Sequence, residues 1–338
     1  MKILAVGGGS GGHVTPVVAV LDSLKNRHPH VEIRFWCDRK FEPLARQKIH
    51  DFDASIRVDT IISGKFRRYH SLPVWRQVFF RPFSIVLPNI RDMFLNGIGL
   101  VQSVYRLARW RPDVVFCKGG FVCVPVGLAA YMMRIPIVLH DSDAHPGLAN
   151  RILARFAQTI ATGTPQDDYV YPTHKTHYIG VPVDHAFTRK YSPAERERLK
   201  VAQGVASGRP LVVVTGGGLG AQQLNDAIIA TLSHITTTAS VVLISGVQHY
   251  ADIAHQTRAL KPSVFQVHAF VGKGMAEILA AADVVVTRAG ATTILELAAL
   301  AKPTILVPNP YLTGGHQLKN AAVSRILIER PAKNARIT

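Results

Sequence analysis

One arrangement occurs twice in this chain and constrains its fold more than any other feature. A short apolar run, Ile3-Leu4-Ala5-Val6, leads into the glycine-rich stretch Gly7 to Pro16 (Gly-Gly-Gly-Ser-Gly-Gly-His-Val-Thr-Pro), and a helix-like pattern follows from Val14 to Leu24. About 200 residues on, Leu211-Val-Val-Val-Thr215 leads into Gly216-Gly-Gly-Leu-Gly-Ala221 and then a helix from Gln222. Strand, glycine turn and helix make a phosphate cradle. Glycines let the backbone come close to a ligand, and a helix N-terminus points free N–H groups at an anion. The first run lacks the Gly-x-Gly-x-x-Gly, and the acid about 20 residues later, of a dinucleotide site. A tight strand-to-helix turn is the alternative. His13 stands where the helix begins, beside the cradle.

Further strand patterns alternate with helical stretches. In the first half they are Val31–Cys37, Asp113–Cys117, Pro136–His140, Thr159–Thr162 and Tyr178–Ile179. In the second half they are Val241–Ser245, Phe265–Ala269, Asp283–Thr287 and Thr304–Val307. Such alternation predicts α/β architecture with parallel, doubly wound sheets. Gly180-Val-Pro-Val183 has the look of a linker, so the domains expected are 1–182 and 183–338. Ligands of such sheets bind at the carboxyl ends of the strands, where both glycine loops lie; two facing halves make a cleft.

A second glycine pair, Gly119-Gly120, follows Lys118, and the polar loop Asp141-Ser-Asp-Ala-His-Pro-Gly147 follows His140. In the second half the segment Asp283 to Glu296 is the most informative. Its strand ends in Arg288-Ala-Gly-Ala291, with a helix from Thr292 or Thr293. Small residues at a helix start suit a diphosphate. Glu296 can accept hydrogen bonds from a ribose diol, or serve as a capping acid of the first turn. Gln317 can contact sugar hydroxyls, or cap the helix that follows it.

The chain has 338 residues, enough for two domains, and a net charge of +17. That charge points to an anionic partner. Cys37, Cys117 and Cys123 have neither metal-ligand spacing nor a disulfide framework, which points to a reducing cytoplasm. No apolar run approaches the ~20 residues of a membrane span, and the N-terminus is too short in apolar residues for a signal peptide. From Ile61 to Pro112, arginines mix with large apolar side chains, among them Arg67, Arg68, Trp75, Arg76, Phe79, Phe80 and Arg81. This mixture can lie on an anionic membrane surface. It can stack on nucleic acid, though no nucleic-acid module signature is present. It can also be a helix pair with an apolar core side and solvated arginines.

Taken in order, these pieces resemble the MurG family of peptidoglycan glycosyltransferases, glycosyltransferase family 28. The matching stretches are 8–16, Lys-Gly-Gly-Phe-Val at 118–122, Ile-Pro-Ile-Val-Leu-His at 135–140 and Gly-Val-Pro-Val at 180–183. They continue with 216–221, Arg-Ala-Gly-Ala-Thr-Thr-Ile-Leu-Glu at 288–296 and His-Gln-Leu-Lys-Asn-Ala at 316–321. The resemblance implies a GT-B fold of two Rossmann-like domains facing a cleft. It implies an inverting transfer of N-acetylglucosamine from UDP-GlcNAc to the undecaprenyl-diphosphate-linked muramyl-pentapeptide, lipid I to lipid II, without metal or other cofactor. The place of action implied is the cytoplasmic face of the inner membrane, on an anionic surface, with no nucleic acid involved.

Beside this resemblance, His13 is the candidate for the base that deprotonates the acceptor hydroxyl or for the group that orients it, with Asp143, His140 and His145 as substitute bases. By the same resemblance, Gly9, Ser10, Gly11, Gly119 and Gly120 face the acceptor diphosphate. The donor meets Ser10, Gly11, Gly12, Asp143, Gly218, Val271, Arg288, Ala291, Thr292, Thr293, Glu296 and Gln317. Within that set Phe270-Val271 lies against the uracil, Ala291 to Glu296 holds diphosphate and ribose, and Gln317 meets the sugar. The sequence departs from the pattern at Gly218 (usually Ser), Asp184 (often Arg), and Asp141 and Asp143 (usually Glu and Asn). The second domain also looks shortened at its end. Another GT-B glycosyltransferase, acting on a different lipid or a small molecule, is the nearest alternative; a non-catalytic nucleotide-sugar-binding relative is the other.

Overall fold

The computed structural model describes residues 1–8, 11–66, 86–165, 169–217, 221–272, 274–309 and 315–329. The chain divides into two compact units, the first built from Met1–Pro182 and the second starting at Val183; residues 315–319 group with the first.

The first unit alternates strands and helices: β1 (Lys2–Gly7), α1 (Gly11–Arg27), β2 (Glu32–Asp38), α2 (Glu42–Phe52), β3 (Arg57–Ile61), α3 (Leu87–Trp110) and β4 (Val114–Gly119). It continues with α4 (Cys123–Met132), β5 (Ile137–Asp141), α5 (Leu148–Leu153), β6 (Thr159–Thr162) and β7 (Thr176–Tyr178). The seven strands lie in the order β3-β2-β1-β4-β5-β6-β7, and every pairing is parallel. Both faces are covered, so the central strands are apolar throughout rather than alternating. Successive side chains of β1 enter different cores. Leu4 and Val6 join Trp36, Val115 and Leu139 on one face, while Ile3 and Ala5 join Phe35, Val17 and Phe116 on the other.

The strand order reverses between β1 and β4. There the sheet opens a crevice at its carboxyl edge, the usual ligand position in such folds. The two glycine turns of the first half, after Gly7 and Gly119, both lie at this edge, and Gly7 and Gly119 are register partners.

Three expectations are corrected. The first helix begins at Gly11 rather than Val14. Gly11 and Gly12 have no side chain to enter an apolar period, so the period marks only the packed part of the helix. Strand β3 adds to the expected set: among the described residues it pairs with β2 alone, and Val58 and Ile61 are its buried residues among Arg57, Asp59 and Thr60. The last strand lies at Thr176–Tyr178 rather than Tyr178–Ile179. Its place is set by pairing with β6, from Ile160↔Thr176 to Thr162↔Tyr178, and Ile179 is exposed.

Helix α3 and residues 61–66 are described parts of the basic, aromatic stretch. The helix ends where Arg111 adopts a left-handed conformation (φ 44°) before Pro112. Gly99, Ser103, Leu107 and Trp110 face inward, whereas Leu87, Ile90, Met93, Phe94, Ile98, Val101 and Tyr105 are exposed. Much of the apolar surface of this helix, from Leu87 to Tyr105, is therefore not spent on the core. Arg67, Arg68, Trp75, Arg76, Phe79, Phe80 and Arg81 lie outside the described residues. No helix of the described residues is long and apolar enough to cross a membrane.

The second unit repeats the plan. Two helices, α6 (His185–Thr188) and α7 (Pro193–Ala202), precede β8 (Leu211–Thr215), α8 (Gln222–Ile235), β9 (Ser240–Ile244), α9 (Val247–Gln256) and β10 (Phe265–His268). Then come α10 (Met275–Ala281), β11 (Val284–Thr287), α11 (Ala291–Ala299) and β12 (Thr304–Leu306); α12 (His316–Glu329) follows, grouping with the second unit from Asn320 on. The sheet order is β10-β9-β8-β11-β12, all parallel, and reverses between β8 and β11. The second glycine turn and the Arg288–Ala291 turn leave the sheet at that reversal, as the two turns of the first unit do at theirs.

Candidate active site

In the first unit the site is built on bare backbone. A Cβ on Gly120 would lie 2.4 Å from the Gly8 carbonyl oxygen; one on Gly8 would lie 2.5 Å from Asp38 Oδ2 and 3.0 Å from Val122 Cγ1. Gly119 and Gly120 both hold positive φ, 119° and 91°, which side chains resist. The Cys123 thiol donates to the Gly119 carbonyl at 3.1 Å and fixes the turn. Gly11, Gly12 and His13 form the opening turn of α1, which holds no acidic residue. Its N–H groups have no partner within the helix. Gly9, Ser10 and the side chain of His13 lie outside the described residues.

The loop after β5 meets this edge through buried polar groups. His140 Nε2 lies 2.9 Å from the Gly180 carbonyl, so that nitrogen carries the proton, while Nδ1 is buried without a partner. Burial, and then the charge of Lys118, push the His140 imidazolium down to about 3. His140 is therefore neutral at physiological pH and too weak a base to serve as a substitute for His13. Asp141 is buried and its carboxyl is pushed up to about 6 by desolvation, even though Tyr171 Oη donates to it at 2.7 Å. Tyr169 Oη donates to the Asp143 carbonyl at 2.8 Å, and the half-buried Asp143 side chain stays near the loop's surface. Lys118 Nζ donates to Ser142 Oγ at 2.5 Å.

In the second unit β11 runs into Arg288, whose guanidinium donates to the Val307 carbonyl at 3.2 Å and to Gln223 Oε1 at 3.4 Å. The strand side, the turn and the helix α8 are thereby tied together by one cation. Helix α11 starts at Ala291 with Gly290 as its cap and no side-chain capping bond. Its first turn has only Ala291, Thr292 and Thr293, whose N–H groups have no partner within the helix, the arrangement that receives a phosphate. Glu296 is the sixth residue of that helix, and no acid stands in the first turn. The capping alternative for Glu296 is excluded by this position.

Asn320, on α12, is buried and donates from Nδ2 to the Ala289 carbonyl at 3.1 Å. It holds the turn that opens α11. Sequence reasoning quoted Asn320 inside a motif without giving it a role; an amide four residues past the motif's histidine has no signal of its own. Gln317, three residues earlier, is 9% exposed. Val271 packs against the core of the second unit beside the more exposed Phe270. Gly217 has φ 82° and its N–H reaches Thr215 Oγ1 at 3.3 Å; Gly218 lies outside the described residues. Asp184 caps α6, accepting from Ala186 N at 2.8 Å.

Two family models match this chain: the glycosyltransferase family 28 N-terminal domain over residues 3–162 and the family 28 C-terminal domain over residues 211–324. The chain belongs to glycosyltransferase family 28. It is 35% identical over 321 residues to the UDP-N-acetylglucosamine--N-acetylmuramyl-(pentapeptide) pyrophosphoryl-undecaprenol N-acetylglucosamine transferase of Shouchella clausii, covering 95% of this chain and 82% of that protein. To the enzyme of the same name from Halalkalibacterium halodurans it is 31% identical over 327 residues, 95% of this chain and 83% of the relative. Among solved structures, MurG of Acinetobacter baumannii matches with a TM-score of 0.66 at 23% identity, over 95% of this chain and 82% of that one. A UDP-GlcNAc 2-epimerase from Neisseria meningitidis, bound to UDP-GlcNAc, matches with a TM-score of 0.62 at 14% identity, over 98% and 92%. At these identities the two structures show the shared GT-B fold alone.

Both family 28 domains begin inside a sheet described above, and each carries its glycine turn at the point of strand reversal. Within the first domain the structure brings Gly8, Gly119 and Gly120 together. Within the second it brings Arg288, Ala291, Thr292, Thr293 and Glu296 onto one turn and helix, with Asn320 behind them.

Proposed function

We propose that this family 28 enzyme transfers N-acetylglucosamine from UDP-GlcNAc to undecaprenyl-diphosphate-linked muramyl-pentapeptide, turning lipid I into lipid II. The observation that carries this reading is the alignment of 95% of the chain, at 31% and 35% identity, with two enzymes bearing that activity in their names. The acceptor hydroxyl attacks the anomeric carbon, the new C–O bond forms with inversion, the bond to the diphosphate oxygen breaks, and UDP leaves. His13 takes the hydroxyl proton. The leaving diphosphate gains negative charge, which the N–H groups at the start of α11 and the nearby Arg288 guanidinium receive. These groups do what a divalent cation would otherwise do, so the reaction proceeds without metal. Glu296 accepts from the ribose diol, and Gln317 meets the sugar. The glycine turns at Gly8 and Gly119-Gly120 take the acceptor diphosphate.

The enzyme works as a peripheral protein on the cytoplasmic face of the inner membrane. The exposed apolar side of α3 supports this, together with a net charge of +17 that suits an anionic leaflet. The deciding experiment is UDP release from UDP-GlcNAc with a lipid I analogue, run with and without a chelator. Release that depends on the analogue and is insensitive to chelation is the expected result. UDP-GlcNAc binding with no release for any acceptor leaves a nucleotide-sugar-binding protein instead.

A further inference from the structure

Lys118 is the penultimate residue of β4, and its side chain is 1% exposed. Ser142 Oγ, at 2.5 Å, is its one hydrogen-bond partner among the described residues, and there it forms no ion pair. An ammonium has three protons to donate, so two are left over. Asp141 and Asp143 face it from the end of β5 and the loop beyond, His140 from β5 and Cys123 from the start of α4. Burial draws the lysine down to about 8, against the pull of the two carboxylates. Burying a charge without a close counter-ion costs stability, and an apolar side chain of similar length at such a place is commonly as stable or more so. Packing alone therefore does not account for a lysine here.

The two segments that it joins are parts of the candidate site. Gly119 and Gly120 follow it directly, and Gly120 rests on the Gly8 backbone. Ser142 belongs to the loop after β5, whose backbone is held by Gly163 N to the Asp141 carbonyl at 2.7 Å and by Tyr169 Oη. Among the described residues, Lys118 is the hydrogen-bond partner of Ser142's side chain. The lysine is the link between loop and turn.

We propose that Lys118 is a positioning residue for the acceptor: through Ser142 it fixes the loop after β5 to the Gly119-Gly120 turn, so that the turn keeps the backbone conformation that receives the acceptor diphosphate. The inference rests on the transfer reading and on the acceptor assignment of that turn. Because the lysine acts through a hydroxyl, its effect falls on acceptor affinity and not on the chemical step.

The test uses the full chain with Lys118→Met, Ser142→Ala and the double variant, assayed with UDP-GlcNAc and a lipid I analogue and by thermal melting. Lys118→Met melts no lower than the parent, yet its acceptor KM rises about tenfold, equivalent to about 1.4 kcal/mol. Its donor KM and kcat stay within about twofold. Ser142→Ala moves acceptor KM the same way by less, and the double variant is no worse than Lys118→Met, because the two residues act as one unit. A lower melting temperature with unchanged acceptor KM makes Lys118 a packing residue and overturns the proposal. A rise in donor KM alone, or additive effects in the double variant, overturns it as well. If the parent transfers nothing, the transfer reading has failed on its own account. Calorimetry with inorganic pyrophosphate then decides: about tenfold weaker binding by Lys118→Met upholds the lysine's role at this turn, and equal binding ends it.

Discussion

The backbones of Gly8 and Gly120 are in contact, leaving no room for a side chain at position 120: a Cβ there would stand 2.4 Å from the Gly8 carbonyl oxygen. The two glycine turns of the first unit are thus one structure, although 112 positions separate them by their numbers. Gly120→Ala has to push that carbonyl aside and also hold φ near 91°. Strain of this kind costs on the order of 1–3 kcal/mol. Urea denaturation is expected to show a loss in that range, with transfer reduced further than the folded fraction accounts for. A variant with parental stability and turnover would mean that the turns are free to separate.

Glu296→Ala removes the proposed acceptor for the ribose diol. UDP-GlcNAc binding should weaken by about 1.5–3 kcal/mol, the usual worth of a hydrogen bond to a charged group. Helix α11 should persist, since alanine is a good helix former and Glu296 does not cap it. Calorimetry on the folded variant checks this, and an unchanged UDP affinity removes the ribose role.

His13 is the third residue of α1, just past the first glycine turn. Replacing it with alanine should lower kcat by about 10²–10⁴-fold, as loss of a general base does. Donor affinity should change little, because the donor is assigned mainly to the second unit. With His140 neutral and buried, Asp143 and His145 are the bases left on the loop after β5. Near-parental turnover by folded His13→Ala at saturating acceptor would transfer the role to one of those two.

Phe94 and Val101 are 66% and 70% exposed on α3. Substituting both with glutamate should reduce sedimentation with anionic vesicles while UDP-GlcNAc binding stays the same. Exchanging Arg67, Arg68, Arg76 and Arg81 for glutamine should act in the same direction, by on the order of 1 kcal/mol per residue. A parent protein that ignores such vesicles would rule out this surface as a membrane contact.

His140 and Asp141 oppose each other in acid. Unfolded, His140 takes a proton near pH 6.5; folded, only near about 3, so below 6.5 the unfolded chain binds more protons there and stability falls. Asp141 takes its proton near about 6 when folded and near 3.8 when unfolded, so stability rises as pH falls through that window. Between roughly pH 6 and 4 the two slopes cancel. Asp141→Asn removes the compensation. Relative to the parent, its stability should fall by about 1.4 kcal/mol for each pH unit from 6 to 4, measured by urea denaturation at a series of pH values. Parallel curves for parent and variant would show that Asp141 is already ionised throughout this range.

Much of the architecture follows from local pattern. Ile3–Val6 and Leu211–Thr215 are apolar without interruption, which only a strand covered on both faces requires, and each is followed by glycines and then a helix. That repeat was enough to imply two parallel α/β domains, with ligands at their glycine turns. Central strands such as β8 and β9 were legible because burial selects their residues. Edge strand β3 was missed and β7 was placed two residues late, because each is positioned by its neighbour's unpaired backbone groups and has few buried apolar side chains; the edge strands β10 and β12 were legible.

What the sequence determined by itself was the inventory: two cradles, the Arg288–Glu296 turn and helix, and His13 beside the first glycines. Tertiary structure decided which of these meet. It set Gly120 on Gly8, gave Asn320 to the Ala289 carbonyl, left Glu296 beyond the capping position, and buried His140 until it no longer takes a proton at neutral pH. It also turned Lys118 inward to Ser142, 24 positions away. Contact, burial and desolvation arise between segments distant in the chain. Periodicity and propensity act over a few neighbouring residues and carry no information about which distant backbone will be packed against them.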